Sequence, residues 1–320
     1  MTHRVLVTDK VALSGLYPIL EDEGFKVFSV DDSAGAEFEE LLSGADALIV
    51  RSATKVNREM IERATQMRAV GRAGVGIDNV DVEAATKRGI AVFNAPGGNT
   101  IAAAELTMAL LISVARKIPA AESSLRGGNW DRASFKGVEL RGKVLGLIGC
   151  GRIGGEVATR CQAFGMGVVV YDPYLTTERA DELGVQLVGL EEVLEVGDFV
   201  SIHVPLTDET RGIIGATGFE RMKSTAFIVN ASRGGVIDES GLVAALESGT
   251  IAGAALDVYE REPLPADSPL RTAPNLVLTP HLGAATTEAQ VGVATEVAEK
   301  IKTLLETGDS SEAVNAIELG

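Results

Sequence analysis

The chain has 320 residues, 46% of them hydrophobic, which is enough for two cores of ordinary size. Its net charge of −16 argues against nucleic acid and anionic membrane as partners, because no basic stripe exists to neutralise phosphates. No apolar run approaches the ~20 residues that span a bilayer, no signal-peptide core follows Met1, and the two cysteines, Cys150 and Cys161, suit a reducing cytoplasm better than a disulfide.

In chain order, strands are expected over 4–8, 26–30, 47–50, 69–71 and 90–92, with helices near 15–23, 36–42, 57–65 and before the last strand. This alternation implies a parallel sheet with right-handed crossovers. Ala95-Pro96-Gly97-Gly98-Asn99 reads as a break, and 101–116 as a long helix apolar on more than one face. A second alternation starts near Lys143, with strands over 144–148, 167–171, 199–203, 226–229, 253–257 and 276–278, and a last helix over 288–306 that returns to the first domain. The fold class is therefore α/β: two Rossmann-like or flavodoxin-like parallel-sheet domains. The nucleotide-binding domain, 99–287, is inserted into a discontinuous smaller one, 1–98 with 288–320, and the site is expected between them.

The most informative segment is 144–154, an apolar β-prone run ending in Gly149-x-Gly151-x-x-Gly154, after which 156–164 reads as helix. Gly149 permits the tight turn, Gly151 lets the backbone approach a pyrophosphate, and Gly154 allows close packing of helix on strand. The phosphates would sit on the helix N-terminus, where unpaired N–H groups and the helix dipole attract anions. Asp172 closes the next strand, placed to accept hydrogen bonds from the adenosine ribose. Its carboxylate repels a 2′-phosphate, and Pro173-Tyr174 offers no arginine to welcome one, so NAD is expected rather than NADP.

Three histidines leave little choice of base. His3 is terminal, and His203 reads as a strand-end histidine near the cofactor. His281 follows strand 276–278, at the C-terminal end where open α/β sheets bind ligands, and its imidazole suits proton transfer near neutrality. Arg233, in Ser232-Arg233-Gly234-Gly235 beyond another strand, can grip a carboxylate bidentately. A carboxylate in the 257–263 segment would orient the imidazole and favour its charged form, and residue chemistry leaves Glu260 and Glu262 equal candidates.

These segments, with Pro280-His281-Leu282-Gly283-Ala284, resemble the D-isomer-specific 2-hydroxyacid dehydrogenases. The resemblance implies a catalytic set of Arg233, Glu262 and His281. It extends through 51–56, 71–81 and Ala313-Val314-Asn315, so it covers essentially the whole chain, and there it resembles the members that oxidise D-3-phosphoglycerate with NAD, opening a route to serine. By that resemblance Arg51 and Arg72 bind the phosphate and carboxylate of a small anionic phosphorylated hydroxy acid. They supply the local cations that so acidic a chain needs, and Gly74 and Asn99 lie beside them. Arg152 and Ile153 would meet the pyrophosphate, and Asp257 the nicotinamide. Val204, Ala231, Ser232, Gly283 and Ala284 would line the cofactor. Val75 and Val204 stand where some relatives carry threonine, so those side-chain hydrogen bonds are not expected here.

No metal is expected. A homodimer or homotetramer is, through helix 101–116 and the arm with Trp130 and Phe135, although packing inside one subunit would explain the same residues. The alternatives are glyoxylate or hydroxypyruvate reduction, another D-2-hydroxy acid, and an NAD-sensing corepressor-like protein. Many phosphoglycerate-oxidising members continue into serine-binding regulatory domains. This chain ends at Gly320, so it is expected to be a short natural form or a truncated one.

Overall fold

Strand and helix alternate from the start of the chain in the order β1 (His3–Val7), α1 (Leu13–Leu20), β2 (Phe25–Ser29), α2 (Ala36–Leu42), β3 (Ala47–Val50), α3 (Arg58–Arg63), β4 (Ala69–Arg72), α4 (Val82–Lys87) and β5 (Ala91–Asn94). The computed structural model describes residues 2–21 and 23–319, so Asp22, inside the helix expected over 15–23, and the terminal Met1 and Gly320 lie outside the described residues. All pairings in this sheet are parallel, in the order β2-β1-β3-β4-β5. β3 is buried along its whole length, as a strand covered on both faces must be, which is why it reads as an unbroken apolar run.

The second series runs α5 (Thr100–Arg116), α6 (Ile118–Arg126), β6 (Val144–Ile148), α7 (Arg152–Ala163), β7 (Gly167–Tyr171), α8 (Thr177–Leu183), β8 (Gln186–Leu187), α9 (Leu190–Val196), β9 (Phe199–Ile202), α10 (Ala216–Arg221), β10 (Phe227–Asn230), α11 (Glu239–Glu247), β11 (Gly253–Leu256) and β12 (Leu276–Leu278). Its sheet is also parallel, in the order β12-β11-β10-β9-β6-β7-β8. The expected class, two parallel-sheet α/β domains, is what the chain adopts. By contact the described chain divides into one unit of Met1–Thr100 with Ala284–Gly320 and a second of Ile101–Gly283.

In each sheet the strand order reverses once, between β1 and β3 in the first unit and between β6 and β9 in the second. Crevices outside the carboxyl ends of strands at such reversals are the ligand-binding places of open α/β sheets. The Gly149 turn follows β6, and the loops carrying Asp9 and Arg51 follow β1 and β3.

In the first unit α12 (Thr287–Thr307) packs against α1, β4 and β5. Thr286 caps it by accepting the Ala289 N–H, and Gly308, at φ 81°, ends it in the left-handed conformation. Its Val293, Val297 and Ile301 join the core, and the approach is close: a Cβ on Gly71 of β4 would stand 2.3 Å from Val297 Cγ1. Among the boundaries that differ from expectation, two lie where glycines make close tertiary contacts. α1 starts at Leu13, and its Gly15 lies against α12, with an ideal Cβ 2.6 Å from the Val291 carbonyl. α7 starts at Arg152 rather than Glu156, since tertiary packing of Gly154 overrides the low helix propensity of glycine. The long apolar helix ends at Lys117, whose φ of 53° turns the chain into the separate α6.

Candidate active site

The glycine turn has the shape its spacing predicts. Gly149 sits at φ 89°, and a Cβ there would lie 2.6 Å from the His203 carbonyl, so only glycine closes the turn. A Cβ on Gly154 would lie 2.4 Å from the Gly149 carbonyl. Gly151 is the opposite case: a Cβ would meet nothing within 4 Å, and no side chain caps the α7 N-terminus that follows. An open outer face over uncapped amides fits a dinucleotide pyrophosphate. At the end of β7 the Asp172 carboxylate accepts the Cys150 N–H at 2.8 Å and the Tyr174 N–H at 2.9 Å, which ties it to the turn. Arg152 is exposed, whereas Ile153, Val204 and Ala231 pack partly into the core. Burial pushes the Cys150 thiol up to about 11 and Cys161 to about 12, so both stay protonated and inert.

Three neighbouring strand ends of the second unit hold the candidate catalytic groups. After β10, Asn230 organises the turn: its Oδ1 accepts from the Ser232 N–H and hydroxyl at 3.0 and 2.8 Å, and its Nδ2 donates to the Arg233 carbonyl at 2.8 Å. Arg233 Nη1 donates to the Ser232 carbonyl at 2.7 Å. Gly234 then meets the loop after β11 so closely that a Cβ would be 1.7 Å from the Tyr259 carbonyl oxygen.

In that second loop Tyr259 donates its N–H to Glu262 Oε1 at 3.1 Å and its hydroxyl to the Thr279 carbonyl at 2.7 Å. After β12, His281 takes φ 57° and brings Nδ1 to 2.7 Å from Glu262 Oε2. The structure thus separates two carboxylates that residue chemistry left equal. Glu262 meets the imidazole, whereas the Glu260 carboxylate turns to α11, where its Oε1 accepts the Glu239 N–H at 3.5 Å while its backbone N–H donates to Glu239 Oε1 at 2.6 Å. Partial burial pushes the Glu262 carboxyl up, but the His281 hydrogen bond and charge, with Arg233, outweigh it and hold the group below its ordinary value. Glu262 is therefore an acceptor-only carboxylate at neutral pH. His281 Nδ1 must carry the hydrogen between them, and in the neutral imidazole that arrangement places the lone pair on Nε2. The His281 side chain is 49% exposed, so a small molecule can reach it.

Asp257 is wholly buried. Its oxygens accept from the Thr279 hydroxyl at 2.7 Å, the Leu282 N–H at 2.7 Å and the Gly283 N–H at 2.9 Å. Where a nicotinamide contact is expected, its carboxylate in this structure braces the turn around His281. Burial raises its pKa, with those hydrogen bonds and the His281 charge pulling the other way. Tyr259, Thr279 and Glu239 were not singled out by sequence reasoning. The signal available for them was position alone, as polar residues at strand ends beside candidates already chosen.

The remaining expected site residues lie in the first unit. Arg51 and Arg72 follow β3 and end β4, neighbouring strands paired Val50 to Arg72. Gly74, at φ 154°, leaves the space that the Arg72 guanidinium fills, since a Cβ would stand 1.6 Å from Nη1. Asn99 presents a buried Oδ1 that no hydrogen bond satisfies. Ala284 opens the chain's return to this unit. Among the described residues no group of His, Cys, Asp and Glu could hold a metal ion.

Residues 108–283, more than half the chain, match the model of the D-isomer specific 2-hydroxyacid dehydrogenase NAD binding domain. The chain belongs to that family. The turn at Gly149–Gly154 is thus part of the family's NAD-binding domain, in agreement with the fit of the open cradle. A D-3-phosphoglycerate dehydrogenase from Methanocaldococcus jannaschii is 50% identical over 316 residues, which are 98% of this chain and 59% of that protein. The chain therefore spans a little over half the length of such curated relatives. A crystal structure of a Thermus thermophilus protein superposes with a TM-score of 0.87 at 36% identity, covering 97% of this chain and 99% of that one. An NAD-dependent formate dehydrogenase from Staphylococcus aureus, in complex with NAD, gives 0.82 at 29% identity, covering 96% of each.

Proposed function

We propose that this chain catalyses the NAD-dependent oxidation of D-3-phosphoglycerate to 3-phosphohydroxypyruvate, the entry to phosphorylated serine synthesis. The observation that carries the reading is the His281–Glu262 pair at 2.7 Å, set beside Arg233 and accessible from outside. His281 Nε2 takes the C2 hydroxyl proton. Glu262 holds the imidazole in the tautomer that leaves Nε2 basic and then offsets the charge of the imidazolium. Arg233 binds the C1 carboxylate and faces the oxygen on which charge changes as the carbonyl forms, so its pull strengthens toward the transition state. A bound NAD would supply the hydride acceptor for C2.

Asp172 would accept hydrogen bonds from the adenosine ribose hydroxyls and the amides after Gly151 would receive the pyrophosphate, in the 99–287 domain. Arg51 and Arg72, in the domain made of 1–98 and 288–320, take the substrate's phosphate and carboxylate. The preference for a phosphorylated acid rests on those two cations and on the relatives named above. The protein works as a homo-oligomer in the cytoplasm. α6 buries no residue and the segment after it leaves Trp130 82% exposed, a surface suited to a second copy, and the two free buried thiols suit a reducing compartment.

The test is NADH formation with D-3-phosphoglycerate, D-glycerate, D-lactate and hydroxypyruvate (the last with NADH) as competing substrates. Selective turnover of the phosphorylated acid supports the reading. Preference for an unphosphorylated acid, or tight NAD binding with no turnover of any, overturns it.

A further inference from the structure

The loop after β1 contains two successive non-glycine residues in the left-handed region, Asp9 at φ 61° and Lys10 at φ 52°. Such backbone costs free energy and persists only where surrounding contacts over-determine it. Here they do. Asp9 Oδ2 accepts the N–H groups of Arg51 and Thr54, both at 2.9 Å, and Oδ1 accepts the Thr54 hydroxyl at 2.6 Å. Asn79 reaches the same loop, and its Nδ2 donates to the carbonyls of Arg51 and Thr54 at 2.6 and 2.7 Å.

The two side chains are chemically complementary. Asp9 Oδ2 faces two backbone N–H donors and Oδ1 a hydroxyl, while Asn79 faces two acceptors and must bring N–H groups. Between them they engage both the N–H and the carbonyl of Arg51, so its backbone is fixed on each side. The guanidinium is left differently: among the described residues, Arg51 forms no ion pair and donates no side-chain hydrogen bond. Thr54, 2% exposed, anchors the far side of the loop. All this lies at the β1/β3 strand-order reversal, where open parallel sheets place ligands.

We propose that Asp9 and Asn79 are positioning residues, which hold the Arg51 backbone so that its uncommitted guanidinium is presented to an anionic group of the substrate. The inference rests on the reading above that Arg51 binds substrate. Its energetic content is preorganisation: with the loop already ordered, little of the guanidinium's attraction is lost to ordering on binding.

The test is a double-mutant cycle of Asp9→Asn with Arg51→Ala, read in KM and kcat, together with amide hydrogen exchange at Arg51 and Thr54. In Asp9→Asn the negative charge that accepts the Arg51 and Thr54 N–H groups is lost, and a neutral amide oxygen takes its place. The KM for D-3-phosphoglycerate is expected to rise about tenfold with a smaller change in kcat, as lost hydrogen bonds to a charged group imply. NAD affinity stays the same, and both amides exchange faster. In the Arg51→Ala background the same substitution adds little, because Asp9 acts through Arg51. Thr54→Val, which removes only the 2.6 Å hydroxyl bond, gives a KM rise of about threefold and serves if Asp9→Asn does not fold.

Additive losses in the cycle, or an unchanged KM in both Asp9→Asn and Thr54→Val, overturn the proposal. So does unchanged exchange at Arg51 and Thr54, a readout that needs no turnover. If the wild type oxidises a different acid, the substrate reading fails, and the same cycle run on that acid still decides the role of Asp9.

Discussion

The two sheets hold their candidate functional groups in opposite ways. In the seven-stranded unit the groups touch: Glu262 bonds His281 directly, and Tyr259, Thr279 and Asp257 link the loops that carry them. In the five-stranded unit it is the Arg51 backbone that is held, by Asp9 and Asn79, and among the described residues its guanidinium makes no ion pair or hydrogen bond. The difference follows the chemistry. Moving a proton needs one nitrogen in one tautomer at one place, which a paired carboxylate enforces. Capturing a mobile anion needs a cation not already neutralised, on a frame that does not move.

If the comparison is right, substitutions in the two units should differ in kind as well as size. The largest effect is expected from Glu262→Gln, which removes the charge opposite the imidazolium and the preference for the Nδ1–H tautomer. A drop in kcat of about 100-fold with little change in KM is expected from steady-state kinetics. Asp172→Ala comes next. It removes the proposed ribose acceptor and the hydrogen bond from the Cys150 N–H, and should weaken NAD by about 10- to 50-fold in a fluorescence titration while the KM for the acid moves little. Tyr259→Phe keeps the ring and deletes one hydroxyl bond to the strand end carrying His281. Its kcat should fall about fivefold, less than a direct participant and more than a surface residue.

The smallest effect concerns pH and leaves turnover aside. Burial pushes His203 down to about 4 from an ordinary value of 6.5, with its Nε2 2.9 Å from the Ser201 hydroxyl. Between those pH values the unfolded chain binds a proton that the folded chain refuses, so stability declines as pH falls through this window. In His203→Gln the slope of Tm against pH between about 6.5 and 4 should flatten relative to wild type. An identical slope would remove His203 as its source.

Some of this was legible in the sequence because it is written in local spacing. The Gly149–Gly154 pattern needs only a strand, a turn and a helix in succession. The α/β class needs only alternation, and the family resemblance rests on short contiguous motifs. What could not be read depends on residues brought together by the sheet. Nothing in Thr8-Asp9-Lys10 announces two left-handed residues, because the bonds that hold them come from 51–54, on the strand beyond the reversal. The choice of Glu262 over Glu260 was open for the same reason: it is made by the β12 loop, which turns His281 toward one of them. The start of α7 at Arg152 was missed because packing on the Gly149 carbonyl outweighs the poor helix propensity of two glycines.

The central claim is that His281, held by Glu262, is the base. The most direct measurement is the steady-state rate of NADH formation from D-3-phosphoglycerate by His281→Ala, alongside its NAD affinity. The account predicts a kcat lower by about 1,000-fold or more, with NAD binding within about twofold of wild type. A variant that retains wild-type kcat would contradict it, since no other imidazole stands at this strand end.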